Sequence, residues 1–156
     1  MAKKIILLAI AIIVVVVFIF FFVPYMKIEM NNGAFSKAVK QVSSDEISLK
    51  ELTPFEWDTM YTFSPYMPKE NMREIMGVRS IHIRQTISEG MTQLFFIKDG
   101  KLVSSIYGYT DNLGFRFDFR KENEGWKDYE YVAFNSSDTI RFQVEKNGNA
   151  TILTLK

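Results

Sequence analysis

Cysteine is absent from all 156 residues, which removes disulfides, thiolate zinc sites and cysteine nucleophiles together. Histidine occurs once, at His82. A cluster of histidine metal ligands is thereby excluded, and a Ser-His-Asp triad would have a single base available. No Gly-x-Ser-x-Gly elbow accompanies it, and the chain carries no Gly-rich phosphate loop, EF-hand loop or His-Glu-x-x-His. An excess of charge of one sign is missing too: 19 Lys+Arg stand against 18 Asp+Glu. Setting aside Lys3, Lys4, Lys27 and Glu29 leaves 16 basic and 17 acidic residues from Asn31 onward. A nearly neutral domain has no electrostatic footprint for nucleic acid. No cofactor motif is present, and none is expected.

What is present in quantity is apolar sequence. Ile5 to Val23 is a run of nineteen residues without a polar side chain, seventeen of them Ile, Leu, Val or Phe. A helix rising about 1.5 Å per residue over that length covers a hydrocarbon core about 30 Å thick. Insertion of such a run is favourable by roughly 5–10 kcal/mol. A cleaved secretory signal would share the basic start at Lys3 and Lys4, but would end in a small-x-small site. Here the run ends in Phe20-Phe21-Phe22-Val23-Pro24-Tyr25, bulky throughout. A core helix is disfavoured because apolar residues surround it on every side. The expectation is an uncleaved signal anchor: a cytoplasmic tail over 1–4, a transmembrane span over 5–23, a linker over 24–33 and an exported domain over 34–156. Lys27, Lys37 and Lys40 nearly balance the basic tail, so orientation rests on the signal-like layout of the N-terminus. An exported domain without disulfides fits a Gram-positive type of bacterium.

Beyond the span the pattern is α+β. Asn31-Asn32-Gly33 reads as punctuation, and Ala34–Val42 as a short helix with Phe35, Ala38, Val39 and Val42 on one face. Ser48 and Glu51 are spaced as a capping box. Phe55 to Phe63 alternates as a strand, placing Phe55, Trp57, Thr59, Tyr61 and Phe63 on one face. Ser64-Pro65-Tyr66 closes it. A helix then begins at Pro68, carries Met72, Ile75 and Met76 as its stripe, and stops at Gly77. The remainder reads as β: Ile81, Ile83 and Gln85; Gln93–Lys98 and Lys101–Tyr109 around an Asp99-Gly100 turn; Phe115–Phe119; Tyr129–Phe134; and Thr139–Glu145 with Ala150–Leu155 around Asn147-Gly148. The fold expected is an N-terminal transmembrane helix followed by one antiparallel sheet domain, with two short helices packed on one face.

Phe55-Glu56-Trp57-Asp58, the alternating aromatics to Phe63, Pro65-Tyr66, Lys69-Glu70 and Gly77 resemble a motif of small bacterial exported proteins, membrane-anchored or lipoprotein-like, of undefined biochemistry. The Leu94–Lys101 hairpin is similar to a second segment of that pattern. The resemblance covers about a third of the chain and implies placement at the envelope rather than a reaction. It also marks Trp57, Asp58, Tyr61, Pro65, Tyr66 and Gly77 as motif residues. This chain departs from the lipoprotein form in having no cysteine to lipidate.

Few residues carry chemistry. His82, alternating with Ile81 and Ile83, is expected on the solvent side of a strand. Trp57 is expected to enter the core while Asp58 faces water or accepts hydrogen bonds from the backbone near Tyr66. Asp58 with Glu56 would be an exposed carboxylate pair if the chain were a cell-envelope hydrolase. Nine aromatics fall between Tyr107 and Phe134; most are expected to pack a sheet face. Trp126, Tyr129, Tyr131 and Phe115 are the candidate partner contacts, since Tyr and Trp are enriched at binding hot spots. The function expected is binding without catalysis by a single-pass extracytoplasmic domain, with a protein partner at the envelope, as in an immunity or inhibitor protein. An accessory subunit contacting its complex through the span is the other alternative.

Overall fold

The computed structural model describes residues 2–119 and 130–156. Helix α1 runs without a break from Ala2 to Lys40, with Pro24 inside it. Every side chain from Ile5 to Ile19 is exposed. Among the described residues this is the one helix long and apolar enough to cross a membrane. Its C-terminal half is a different object, burying Ile28, Phe35 and Val39 in the folded domain.

The segment 24–33, expected as a linker, is therefore helical. Gly33 and the two asparagines are poor helix formers, together costing about 2 kcal/mol relative to Ala, but their neighbours override that preference. Asn31 Nδ2 donates to the carbonyl of Val103 at 2.8 Å. Asn32 Oδ1 accepts from Ser104 Oγ and from the Ser105 amide, both at 2.8 Å. The polar pair that reads as punctuation is thus a clamp between the helix and a strand.

That strand is β4. The order along the chain after α1 is β1 (Glu46–Ser48), α2 (Leu49–Leu52), β2 (Thr59–Phe63), α3 (Lys69–Met76), β3 (Met91–Lys98), β4 (Lys101–Tyr109), α4 (Thr110–Leu113), β5 (Phe115–Asp118), β6 (Tyr131–Asn135), β7 (Arg141–Asn147) and β8 (Ala150–Leu155). The class is α+β, as expected from sequence. The strands divide into two four-stranded sheets, ordered β1-β7-β8-β5 and β4-β3-β2-β6. The second is antiparallel throughout, and the first ends in a parallel β5–β8 pair. Because β4 lies at a sheet edge, α1 and its asparagines cover backbone groups that would otherwise invite another strand.

The β4-β3-β2-β6 sheet is buried on both faces. Leu94 and Phe96 point into the larger core with Phe35, Trp57, Met60, Phe115, Phe117 and Phe142. Phe95 and Ile97 point the other way, into a second core with Ile28, Phe63, Met72 and Met76. This accounts for the near-continuous apolar run of β3. A bulge after Phe96 leaves Val103 extra in β4.

Local signals held where they were strong. Ser48 and Glu51 form the capping box. Asp99 and Gly100 both adopt positive φ, 48° and 68°, as a type I′ hairpin turn requires. Gly77 ends α3 at φ 66°, a left-handed conformation that disfavours any side chain. The other hairpin turns one residue later than expected, with Asn147 paired to Ala150.

Two strand expectations differ from the structure. Regular pairing of β2 starts at Thr59 and not at Phe55, because Trp57 turns back so that its Nε1 donates to Thr53 Oγ1 at 2.9 Å. Residues 78–90 contain no strand. Their carbonyls are held instead by side chains: Ser105 Oγ donates to His82 O at 2.9 Å, Gln93 Nε2 to Arg84 O at 2.7 Å and Tyr107 Oη to Gln85 O at 3.0 Å. Side-chain donors of this kind satisfy buried backbone without a ladder.

Phe35→Ala removes a fully buried ring and is expected to cost about 3–5 kcal/mol. Gly77→Ala meets no atom within 4 Å, so only its left-handed backbone opposes it, at about 1–2 kcal/mol. Denaturant unfolding of the detergent-solubilised protein checks both values and their order.

Candidate binding site

The motif strand and the aromatic strand meet at one end of the two sheets. There the last residues of β2, the Ser64–Tyr66 turn, the start of β3 and all of β5 beyond Phe115 enclose a cavity of about 460 Å³. That volume lies in the range of small-molecule sites. Thr62, Thr86, Thr92 and Gln93 contribute buried polar side chains to its lining. Glu89 and Arg116 stand exposed at its margin.

Two of these groups lack partners. Thr92 Oγ1 and Gln93 Oε1 are buried without a hydrogen bond among the described residues, although Gln93 Nε2 is engaged with Arg84 O. An orphaned buried polar atom costs about 1–3 kcal/mol, and a ligand that supplies its partner recovers that energy. Thr92 shares its strand face with Leu94 and Phe96 by the two-residue period, so it faces β5 across the cavity.

Tyr66 sits on the rim in an unusual backbone state. Its φ is 67°, in the left-handed region that non-glycine residues seldom occupy. Both ends of the residue are pinned: its amide donates to Thr86 Oγ1 at 3.1 Å and its carbonyl accepts from Gln85 Nε2 at 2.9 Å. The ring stays half exposed, at 52 %. Strain held by surrounding structure next to a cavity is a recurrent mark of a ligand site.

The other expected residues fall in three places. Tyr131 is exposed on β6 and packs against Tyr61 and Phe63, beside the cavity wall that Phe63 provides. Phe115 is fully buried between Phe35 and Phe117; it is a core residue with no surface to offer. Trp126 and Tyr129 lie outside the described residues. Pro65 lines the cavity. The site itself was not legible as such: Thr92 and Gln93 are polar interruptions at the head of an apolar strand, and that is their only signal.

Asp58 is structural, with partners other than those expected. Its carboxylate accepts from Lys98 Nζ at 2.8 Å and from the Asp99 amide at 2.7 Å, fastening β2 to the hairpin turn and not to Tyr66. These hydrogen bonds, Lys98 first, hold its pKa below the usual carboxylate value. Glu46 is likewise lowered, by Lys156 and then Arg141, joining β1 to the ends of β7 and β8. His82 is mostly buried, contrary to the solvent-facing expectation: it packs on the Tyr25 ring at 5.2 Å, and its Nδ1 lies 3.8 Å from Glu29 Oε1. No group of three or more metal-ligating side chains occurs among the described residues.

A carboxylate with a lowered pKa contributes stability that is complete above its ordinary pKa and is lost as pH falls through the folded-state value. Stability is therefore expected to drop on acidification below about pH 4, and Asp58→Asn should flatten part of that decline in urea titrations. Thr92→Val removes a hydroxyl without a partner among the described residues, and should leave the melting temperature unchanged or raised. No protein-family model, curated protein or solved structure matches this chain, so the cavity is read from its geometry alone.

Proposed function

We propose that this chain is a single-pass membrane protein whose exported domain binds a partner at the cell envelope and catalyses no reaction. The observation that carries the reading is the continuity of α1: an uncovered apolar helix passes directly into the core of a folded domain. A helix that is apolar on every face, with no protein over it, needs hydrocarbon around it.

The binding surface we assign is the cavity rim with Tyr66 and the neighbouring Tyr131; Trp126 and Tyr129, outside the described residues, are candidate contacts from their residue type alone. Aromatic side chains around a partly polar hollow suit a protein partner that inserts a neutral polar side chain toward Thr92, whose hydroxyl faces β5 across the cavity. An immunity or inhibitor protein acting outside the membrane is the form of this function that the anchor and the single domain support. The carboxylate-hydrolase alternative loses support because Asp58 is committed to Lys98 and the Asp99 amide.

Alkaline extraction of membranes from cells expressing the full chain should leave it in the pellet, and external protease should reach the domain in spheroplasts. Release by alkali would overturn the anchor. A partner retained by the tagged full chain in stoichiometric amount should be lost with Trp126→Ala plus Tyr131→Ala and kept with Asp58→Asn. The reverse pattern would favour carboxylate chemistry.

A further inference from the structure

A second hollow lies on the opposite side of the second core, where the domain meets the apolar helix. The turn Arg79–His82 comes alongside α1 and leaves a groove of about 970 Å³, with Val17, Phe18, Phe22 and Tyr25 on the helix side and Arg79 and Ile81 on the other. Val17 is six residues before Val23, the end of the apolar run, or about 9 Å along the helix. The groove thus extends from the domain down beside the hydrocarbon-length part of α1.

Three ties fix the turn. Ser105 Oγ of β4 donates to His82 O at 2.9 Å, Arg73 Nη2 of α3 donates to Ser80 O at 3.3 Å, and the His82 ring rests on Tyr25 of α1. On this pinned turn Ile81 is 81 % exposed, the greatest exposure among the large apolar side chains of the domain. A single exposed isoleucine is ordinary on a protein surface. One held rigidly beside an apolar span is placed where water is replaced by lipid.

The charges fit that setting. Arg79 is exposed at the groove. Arg73 also lines it, and its buried Nε has no hydrogen-bond partner among the described residues, while Nη1 lies 3.6 Å from Glu70 Oε1 at the exposed end. Guanidinium groups bind phosphate oxygens through paired N–H donors. Tyr25, with Lys27 two residues on, has the character of residues at a membrane interface.

We propose that this groove seats a bilayer phospholipid: an acyl chain lies against Val17, Phe18 and Phe22, Ile81 enters the acyl region beside it, and the exposed Arg79 holds the phosphate, while Arg73 adds charge from a guanidinium engaged by Ser80 O and Glu70. The inference rests on the membrane-anchor reading, of which it is the local consequence. The occupant is lipid rather than a second helix because the groove is continuous with the exposed apolar surface of α1 and carries cations at its upper end.

The absence of cysteine makes the test direct. Ile81→Cys and, as a control in the β7–β8 turn, Asn149→Cys each give one site for an environment-sensitive fluorophore on the full chain. The protein is reconstituted in vesicles of equal parts phosphatidylcholine and phosphatidylglycerol. With nitroxide-labelled acyl chains, the label at 81 should be blue-shifted and quenched severalfold more than the label at 149. Equal quenching at both sites, in protein that floats with the vesicles, would overturn the groove while leaving the anchor intact. Failure to float would overturn both. Shielding at 81 from lipid and aqueous quenchers alike would place protein in the groove and overturn the lipid. Arg79→Glu should lower quenching at 81 in the mixed vesicles and, because phosphatidylcholine carries the same phosphate, in phosphatidylcholine vesicles as well; no change in either would overturn the phosphate contact.

Discussion

The ring of Phe35 touches Phe96 of one sheet and Phe115 and Phe117 of the other, at centroid distances of 5.4, 6.2 and 5.8 Å. Two sheets and one helix converge on a single side chain. The two sheets share this core with α1, whereas α2 and α4 are each one turn long. The helix that supplies Phe35 also supplies Ile28 to the second core and Asn31 and Asn32 to the edge of β4. Everything else in the domain is arranged around a helix whose other half is exposed from Ile5 to Ile19.

This shared helix explains why the two halves of the molecule obey different rules. From Ile5 to Ile19 the sequence is apolar on all sides and exposed on all sides, a state that water opposes and hydrocarbon tolerates. From Ile28 onward the same helix becomes amphipathic, burying Ile28, Phe35 and Val39 at helical spacing while Lys37 and Lys40 stay outside. The change falls between Val23 and Lys27, where Pro24, Tyr25 and the first lysine after the span occur. The boundary is written in composition, and the backbone crosses it without turning.

Signals carried by a few adjacent residues were readable from the sequence. The Ser48–Glu51 box, the Pro68-to-Gly77 helix and the Asp99-Gly100 turn each depend on backbone chemistry that neighbours seldom overrule. Signals that depend on partners far along the chain were not. Asn31-Asn32-Gly33 has the composition of a break, yet β4, some seventy residues away, supplies the bonds that keep it helical. Ile81 and Ile83 alternate like a strand, but the alternation marks one residue turned into the core and one turned out from a pinned turn. The division into two sheets, and the cavity between their ends, arises from the parallel pairing of β5 with β8, which no local pattern announces.

The continuity of α1 has a mechanical side. Many anchored domains hang from a flexible tether and sweep a volume above the membrane, whereas here one unbroken helix holds both the apolar run and the keystone of the core. Were the apolar run placed in a bilayer, the height and facing direction of the domain would follow the tilt and rotation of the helix that continues into its core. A partner would have to arrive at that height and from that side, and any load applied to the domain would be delivered along the helix axis into the membrane.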